Sequence, residues 1–320
     1  MGAACGDTPV LLGTIPNGTI IPARGHYLFV GSAYSLADYG GTGAAAGNLT
    51  MTSDIENDRN VALFNTSNVL NISSATRLDA VGFGSNTGNN CDLLREGTNL
   101  AAASGSTSEY SFVRKLATGT PQDTNDNAAD FQVVTTTPAL PVGTNAAPFL
   151  GGPGPENLAS PLQRNATIKA SLLEPTVAST QVPNRVRDTT PGPPETSTLG
   201  TLDIRRKFTN NTGAPVTRLR FRIVDITTFP APANTADLRA VTSIATSATG
   251  PSIGTVTVQG TTVETPPAQP NGGGLNSTMS AGTVTLATPL AAGAPINLRF
   301  LLGVKQGGAF RFFVNVEALP

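Results

Sequence analysis

Gly200-Thr-Leu-Asp-Ile-Arg-Arg-Lys-Phe208, then Asn210-Asn-Thr-Gly213, then Val216-Thr-Arg-Leu-Arg-Phe-Arg-Ile-Val224 is the stretch that decides the fold class. Leu202, Ile204 and Phe208 fall on one side of the first run, with Arg206 as the exception, against Asp203, Arg205 and Lys207. In the second run Leu219, Phe221 and Ile223 alternate with Arg218, Arg220 and Arg222. A period of two predicts strands with one apolar and one charged face. The Asn-Asn-Thr-Gly turn between them predicts a hairpin, because Asn and Gly accept the positive φ that tight turns need. The charged side is read as exposed. On that reading Arg205, Lys207, Arg218, Arg220 and Arg222 form a candidate patch for acidic glycans or a neighbouring module. The alternative is a solvated sheet face kept charged against edge association.

Similar signals recur on both sides. Downstream they fall at 238–244, 253–258, 282–287, 295–303 and 309–317; upstream, 162–173 reads as a strand and the Pro/Thr-rich 175–198 as a loop. In the first half the strand signals are 19–30, 60–64 with 68–72 as its hairpin partner, 78–83, 109–115 and 131–135, with 84–108 as a long excursion. In 109–115, Tyr110 and Phe112 share a face. Gly 34 and Pro 25 among 320 residues make turns frequent. Charged residues are only 13%, about half the usual share. Short strands at regular spacing with turn residues between them predict sandwiches. The length suits two domains, and Pro138, Pro141, Pro148, Pro153 and Pro155 mark the junction. The expected division is 1–140, a Pro/Gly-rich linker at 141–152, and 153–320.

Four segments of the first half carry a family pattern: Ile15-Pro-Asn-Gly-Thr-Ile-Ile-Pro-Ala-Arg-Gly-His-Tyr-Leu-Phe-Val30, Asn60-Val-Ala-Leu-Phe64, Leu78-Asp-Ala-Val-Gly-Phe-Gly84, and Gly119-Thr-Pro-Gln-Asp-Thr-Asn-Asp-Asn-Ala-Ala-Asp-Phe131 followed by Thr137-Pro138. In this order and spacing, over roughly residues 10–138, the chain resembles a bacterial lamin-tail domain. The resemblance implies a small immunoglobulin-like β-sandwich that binds or scaffolds rather than catalyses. Such domains open with a further strand and a Trp-bearing turn, and this chain has no Trp. It therefore reads as lacking its first strand or strands, and as a fragment or C-terminal part of a longer exported protein. An edge left open in this way accepts a strand from a neighbour, so self-association is expected. The second half, through Pro153–Asn165, Arg205–Val224 and Phe310–Val316, resembles a C-terminal module of large exported bacterial proteins, which implies placement and not chemistry. The expected fold class is all-β: two immunoglobulin-like β-sandwich domains joined by a Pro/Gly-rich linker.

The net charge of −1 gives no basic excess for nucleic acid. No apolar run reaches the ~20 residues of a membrane-spanning helix, and residues 1–12 show no signal peptide. Cys5 and Cys91 are the two cysteines. In a Ser/Thr/Asn-rich β chain they read as a disulfide of an oxidising compartment, the alternative being two free thiols. Asp123, Asn125 and Asn127, with Asp126 and Asp130 beside them, place oxygens at alternate loop positions, as Ca²⁺ requires. Ala128 and Val134 stand where an EF-hand needs Gly and Glu. The alternative is a string of Asx-turns. Asp54, Glu56, Asn57 and Asp58 read as a solvated acidic loop, the alternative being a second ligand set. His26 is the single histidine, and no Gly-x-Ser-x-Gly accompanies it. Asn271-Gly-Gly-Gly274 has no Gly-Lys-Ser/Thr after it, so it reads as a flexible loop and not a P-loop. No catalytic residue is assigned, and Ca²⁺ is the only cofactor in view.

The expected function is a non-enzymatic structural or adhesion module, extracellular or on a cell surface, that meets a protein or a glycan. The alternative is a pair of accessory domains of a secreted hydrolase whose catalytic domain lies upstream.

Overall fold

A computed structural model describes residues 2–3, 8–23, 25–34, 46–55, 59–84, 91–101, 110–117, 120–138, 148–160, 167–265, 267–282 and 286–319. Among the described residues strands hold 42% and helices 4%, so the protein is nearly all-β.

The first half contains β1 (Gly2–Ala3), β2 (Phe29–Val30), β3 (Leu49–Thr50), β4 (Asn60–Phe64), β5 (Arg77–Val81), β6 (Tyr110–Arg114), β7 (Leu116–Ala117), β8 (Thr120–Pro121), the single helical turn α1 (Asn127–Asp130), β9 (Phe131–Thr135) and β10 (Phe149–Leu150). They form two three-stranded sheets, β1-β4-β5 and β10-β9-β6, and two small pairs, β2-β3 and β7-β8. Ala62, Phe64, Ala80 and Leu94 are the buried centre of this half. Tyr110 and Phe112 share a face as expected, their rings meeting edge to face at 6.1 Å.

The second half contains β11 (Ile168–Leu172), β12 (Arg185–Asp188), β13 (Thr201–Asn210), β14 (Arg218–Ile226), β15 (Asp237–Val241), β16 (Thr246–Gly250), β17 (Gly254–Val258), β18 (Thr261–Val263), β19 (Thr278–Ala281), β20 (Pro295–Gln306) and β21 (Phe312–Leu319). One sheet runs β11-β13-β20-β15, with β12 also on β13; the other runs β18-β19-β14-β21. Their apolar faces meet over one core, which is how two one-sided sheets bury what alternation gives them. The β16-β17 hairpin closes a smaller core of Leu173, Ala248 and Val258.

The expected hairpin at 200–224 is corrected. Both strands are present, but β13 and β14 lie in different sheets. Their apolar sides face each other, with the Phe208 and Phe221 rings 4.8 Å apart. Each strand takes its ladder from the far end of the chain: β13 pairs with β20 and β14 with β21. Two long amphipathic strands bury more apolar surface face to face than edge to edge, and that difference overrides the local turn signal. Asn210, fully buried, fastens the arch: its Nδ2 donates to Ala214 O and Leu290 O, both at 2.8 Å, and its Oδ1 accepts from Thr212 N at 3.0 Å.

Other expectations also shift. Residues 69–71 form a 3₁₀ turn, and the partner of β4 is β5, with a bulge at Leu63/Phe64. Of 19–30 only Phe29–Val30 is strand. The 175–198 loop contains β12. The strand placed at 282–287 lies earlier, at Thr278–Ala281, and 283–285 are outside the described residues.

The end of the expected linker is ordered strand. Within 141–152, residues 141–147 are outside the described residues. Beyond them β10 pairs in parallel with β9, Gly151 N donates to Thr135 O at 2.8 Å, and Leu275 N donates to Leu150 O at 2.8 Å. The chain thus runs hydrogen-bonded between the two halves. Glycine is required at this crossing, since a Cβ on Gly151 would lie 2.0 Å from Leu275 O and one on Gly274 2.0 Å from Leu150 O. Gly273 is likewise locked to Ala240 by two backbone hydrogen bonds. The glycine run is therefore a site of close backbone approach rather than a flexible loop.

Candidate interaction site

The arginines of β14 do not form an exposed face. Arg220 and Arg222 are each 6% exposed and Arg205 is 9%. Arg218 and Lys207 are half-buried. The expected basic patch is corrected accordingly: Arg218, Arg220 and Arg222 form an ion-pair ladder whose acids come from elsewhere in the chain, while Arg205 and Lys207 lie on the other sheet. Arg218 Nη2 and Arg220 Nε reach the two oxygens of Glu264, each at 2.9 Å. Arg220 Nη1 and Arg222 Nε reach Glu317 at 3.3 and 3.1 Å. Arg222 Nη2 lies 2.8 Å from Glu156, whose other oxygen is 3.0 Å from His26 Nε2. Burial pushes the Glu264 carboxyl up, but the Arg220 and Arg218 guanidiniums outweigh it and hold the group below its usual range. Burial dominates at Glu317 and raises it, with Arg222 and Arg220 offsetting only part. Burial also opposes the charge on Arg222, and Glu317 and Glu156 more than restore it.

On the other sheet Arg205 stands opposite Arg299 in the β13-β20 ladder. Like charges placed so repel; Asp203 lies between them, its Oδ2 at 2.9 Å from each.

Residues 152–158 form a strap between the halves. Asn276 Nδ2 donates to Gly152 O and Pro153 O at 3.0 and 2.9 Å. On the other side Asn157 Nδ2 donates to Ala46 O at 2.8 Å, and Asn48 Oδ1 accepts from Leu28 N and Leu158 N at 2.9 and 3.1 Å. His26, exposed and without a nucleophile beside it in sequence, thus serves as the first-half contact of Glu156.

The Asp/Asn loop is brought together around a cation belonging to the chain. Arg114 Nη2 holds Asp79 through both oxygens, at 2.8 and 2.9 Å, while its Nη1 lies 3.7 Å from Asp123 and from Asp130. The guanidinium also stacks 4.5 Å over Phe131. Asp126 is the N-cap of α1, accepting from Ala129 N, and hydrogen bonds from Ala129 and Thr98 hold its carboxyl below the usual range. Burial pushes Asp130 up, yet Thr124 and Gln122 donate to it and bring it below its ordinary value. Asn125 adopts φ 58° and its N–H donates to Asp123 Oδ1 at 3.4 Å, an Asx-turn. Asn127 is fully buried and joins three backbone groups. Asp123, Asp126, Asn127 and Asp130 serve as turn, cap and side-chain acceptors, and among the described residues no group of three or more His, Cys, Asp or Glu is placed to hold a metal ion. In the second acidic cluster Asp54 accepts from Ser32 N at 2.9 Å, and 56–58 are outside the described residues.

Cys91 is buried and disulfide-bonded. Cys5, the chain's other cysteine, lies outside the described residues.

Where the halves meet, an open cleft of about 690 Å³ is lined by Lys115, Leu116, Gln132, Phe149, Asp225, Thr228, Pro230, Pro232 and Arg311, among others. Leu116 and Phe149 offer exposed apolar surface, and Arg311 and Asp225 form an exposed pair at 2.8 Å. Sequence reasoning missed this cleft because its walls come from segments far apart in the chain. It also missed Glu156, Glu264 and Glu317. Of these only Glu317 carried a signal, since alternation with Val314 and Val316 places it on the polar side of its strand. No family model, curated protein or solved structure matches the chain.

Proposed function

We propose that the chain is a non-enzymatic structural or adhesion module, extracellular or on a cell surface, built from two immunoglobulin-like sandwiches of which the first is lamin-tail-like. The observation that carries this reading is the disposition of the buried carboxylates. Asp130, Glu174, Asp203, Asp237, Glu264 and Glu317 are each held by arginine or by hydroxyl and N–H donors. Groups held in this way stabilise a scaffold; a general acid or base needs a carboxyl facing substrate in an open cleft. Glu96 is held least, with Arg77 at 3.8 Å, and burial followed by Asp79 pushes it up; it lines none of the clefts described. The disulfide at Cys91 supports an oxidising compartment. The cleft between the halves, with apolar and polar side chains on both walls, suits a protein or glycan partner.

The test is binding of the purified chain to immobilised glycans and extracellular proteins, beside a Phe149→Ser, Arg311→Ser double variant. Saturable binding that the variant loses supports the reading. Binding unchanged in the variant removes the cleft from it, and turnover of a glycoside, phosphodiester or peptide substrate overturns it.

A further inference from the structure

The first half contains a second cavity, separate from the cleft between the halves. It is a half-open hollow of about 460 Å³ between the β4-β5 sheet and the segments that carry β2 and β3. That volume lies within the ~300–1,000 Å³ typical of small-molecule sites. Ile21, Tyr27, Phe29, Met51, Leu63 and Val81 line it. Leu63 is 46% and Ile21 43% exposed, so large aliphatic side chains face open space in a concave site. Two rigid walls keep it from collapsing. One is the antiparallel ladder Val61↔Val81 to Leu63↔Asp79. The other is wedged by close packing, for a Cβ on Gly13 would meet Leu49 at 2.5 Å and Phe29 at 3.0 Å.

The charge of the lining selects the ligand. Asp79 is the one carboxylate on the wall. Both its oxygens are taken by Arg114, and Oδ1 also accepts from Ala80 N at 2.8 Å. Among the described residues of the lining neither a cation nor an anion finds a free counter-charge, and burying an unpaired charge is strongly unfavourable. We propose that this cavity is a binding site for a neutral, hydrocarbon-rich small molecule. A fatty-acid carboxylate, a phosphate ester or a sulfonate is disfavoured there.

Two dyes sharing one ring system test this on the full chain: neutral phenylnaphthylamine and anionic anilinonaphthalene sulfonate, both of which fluoresce in apolar surroundings. The expected result is saturable one-to-one binding of the neutral dye, with the sulfonate weaker by about tenfold or more. Leu63→Asp, at a half-exposed position, weakens the neutral dye by about tenfold or more. Leu70→Asp, at a position 88% exposed and away from the cavity, leaves it unchanged. Circular dichroism checks each fold, and Ile21→Asp replaces Leu63→Asp if that variant unfolds. Non-saturable binding, equal binding of the two dyes, or full binding by a folded Leu63→Asp or Ile21→Asp overturns the proposal.

Discussion

Arg222 Nη2 and Glu156 Oε1 stand 2.8 Å apart, and through that contact the chain leaving the first half is fastened to the second sheet. Both side chains are nearly enclosed, at 7% and 9% exposure. Arg222 also serves Glu317 and Asn276, so one guanidinium joins a strand, a turn and the strap. Three arginines meet three glutamates along the ladder, so the enclosed charges offset one another.

Removing Arg222 leaves its partners buried with less counter-charge, Glu317 facing Arg220 alone in the ladder and Glu156 facing His26. Arg222→Met is therefore expected to lower stability by about 3–5 kcal/mol. Arg311→Met breaks the pair with Asp225, which is largely in water, and is expected to leave stability nearly unchanged. Urea unfolding of the two variants checks the contrast. Equal losses would mean that the ladder is no more than a surface feature.

Asn127 makes a different kind of tie. Its Oδ1 accepts from Gly82 N at 2.9 Å and Glu96 N at 3.0 Å, and its Nδ2 donates to Ala80 O at 2.8 Å. Asn127→Ala orphans two buried donors and one acceptor, each worth about 1–3 kcal/mol. The expected loss is at least about 2 kcal/mol, with faster amide exchange at Gly82 and Glu96. Unchanged protection at those two amides would show that the side chain is not their partner in solution.

How far this was legible depends on the range of the interaction. Alternation marked β13, β14, β20 and β21 and the apolar side of each, because period two is written into consecutive residues. It could not say which strands pair. A local Asn-Asn-Thr-Gly turn reads the same whether it closes a hairpin or carries the chain from one sheet to the other. Nor could it say what lies over the charged side. Arg218, Arg220 and Arg222 read as solvent-facing, and only the fold brings Glu156, Glu264 and Glu317 onto them. In the Asp/Asn loop the spacing of oxygens was visible, while Arg114, the cation they surround, sits on another strand. Prolines likewise marked the junction but not the pairing of Phe149–Leu150 with β9, since that pairing is made by backbone groups every residue has.

Glu174 gives a pH test with a definite sign. It is fully buried, and its carboxylate accepts from Thr176 N and Oγ1 and from Ser252 N. Burial alone pushes the group up; Ser252 and Thr176 together bring it down to about 2. Unfolded, it titrates near ~4.3. A depressed folded value adds stability above the unfolded one, and that increment is lost as pH falls from about 4.3 toward about 2. Glu174→Gln is expected to flatten the stability profile across this window, with the change centred on the β16-β17 hairpin that Glu174 anchors through Ser252. Parallel acid profiles for the two proteins would remove Glu174 from the acid transition.

Arg114 decides between the two readings of the Asp/Asn loop. If the guanidinium is the cation that gathers Asp79, Asp123 and Asp130, Ca²⁺ has no vacancy to fill, and the melting temperature is the same in Ca²⁺ as in EDTA. Arg114→Leu then removes the paired hydrogen bonds to Asp79 and takes the nearby counter-charge from the fully buried Asp130, at a cost of about 1.5–3 kcal/mol for the charged hydrogen bonds lost. A ligand that binds only the folded state raises its stability. A rise in Ca²⁺ that disappears in Asp123→Ala would therefore establish a metal site in the loop. Calorimetry of both proteins with and without Ca²⁺ separates these outcomes, and the arrangement of three carboxylates about one arginine predicts the first.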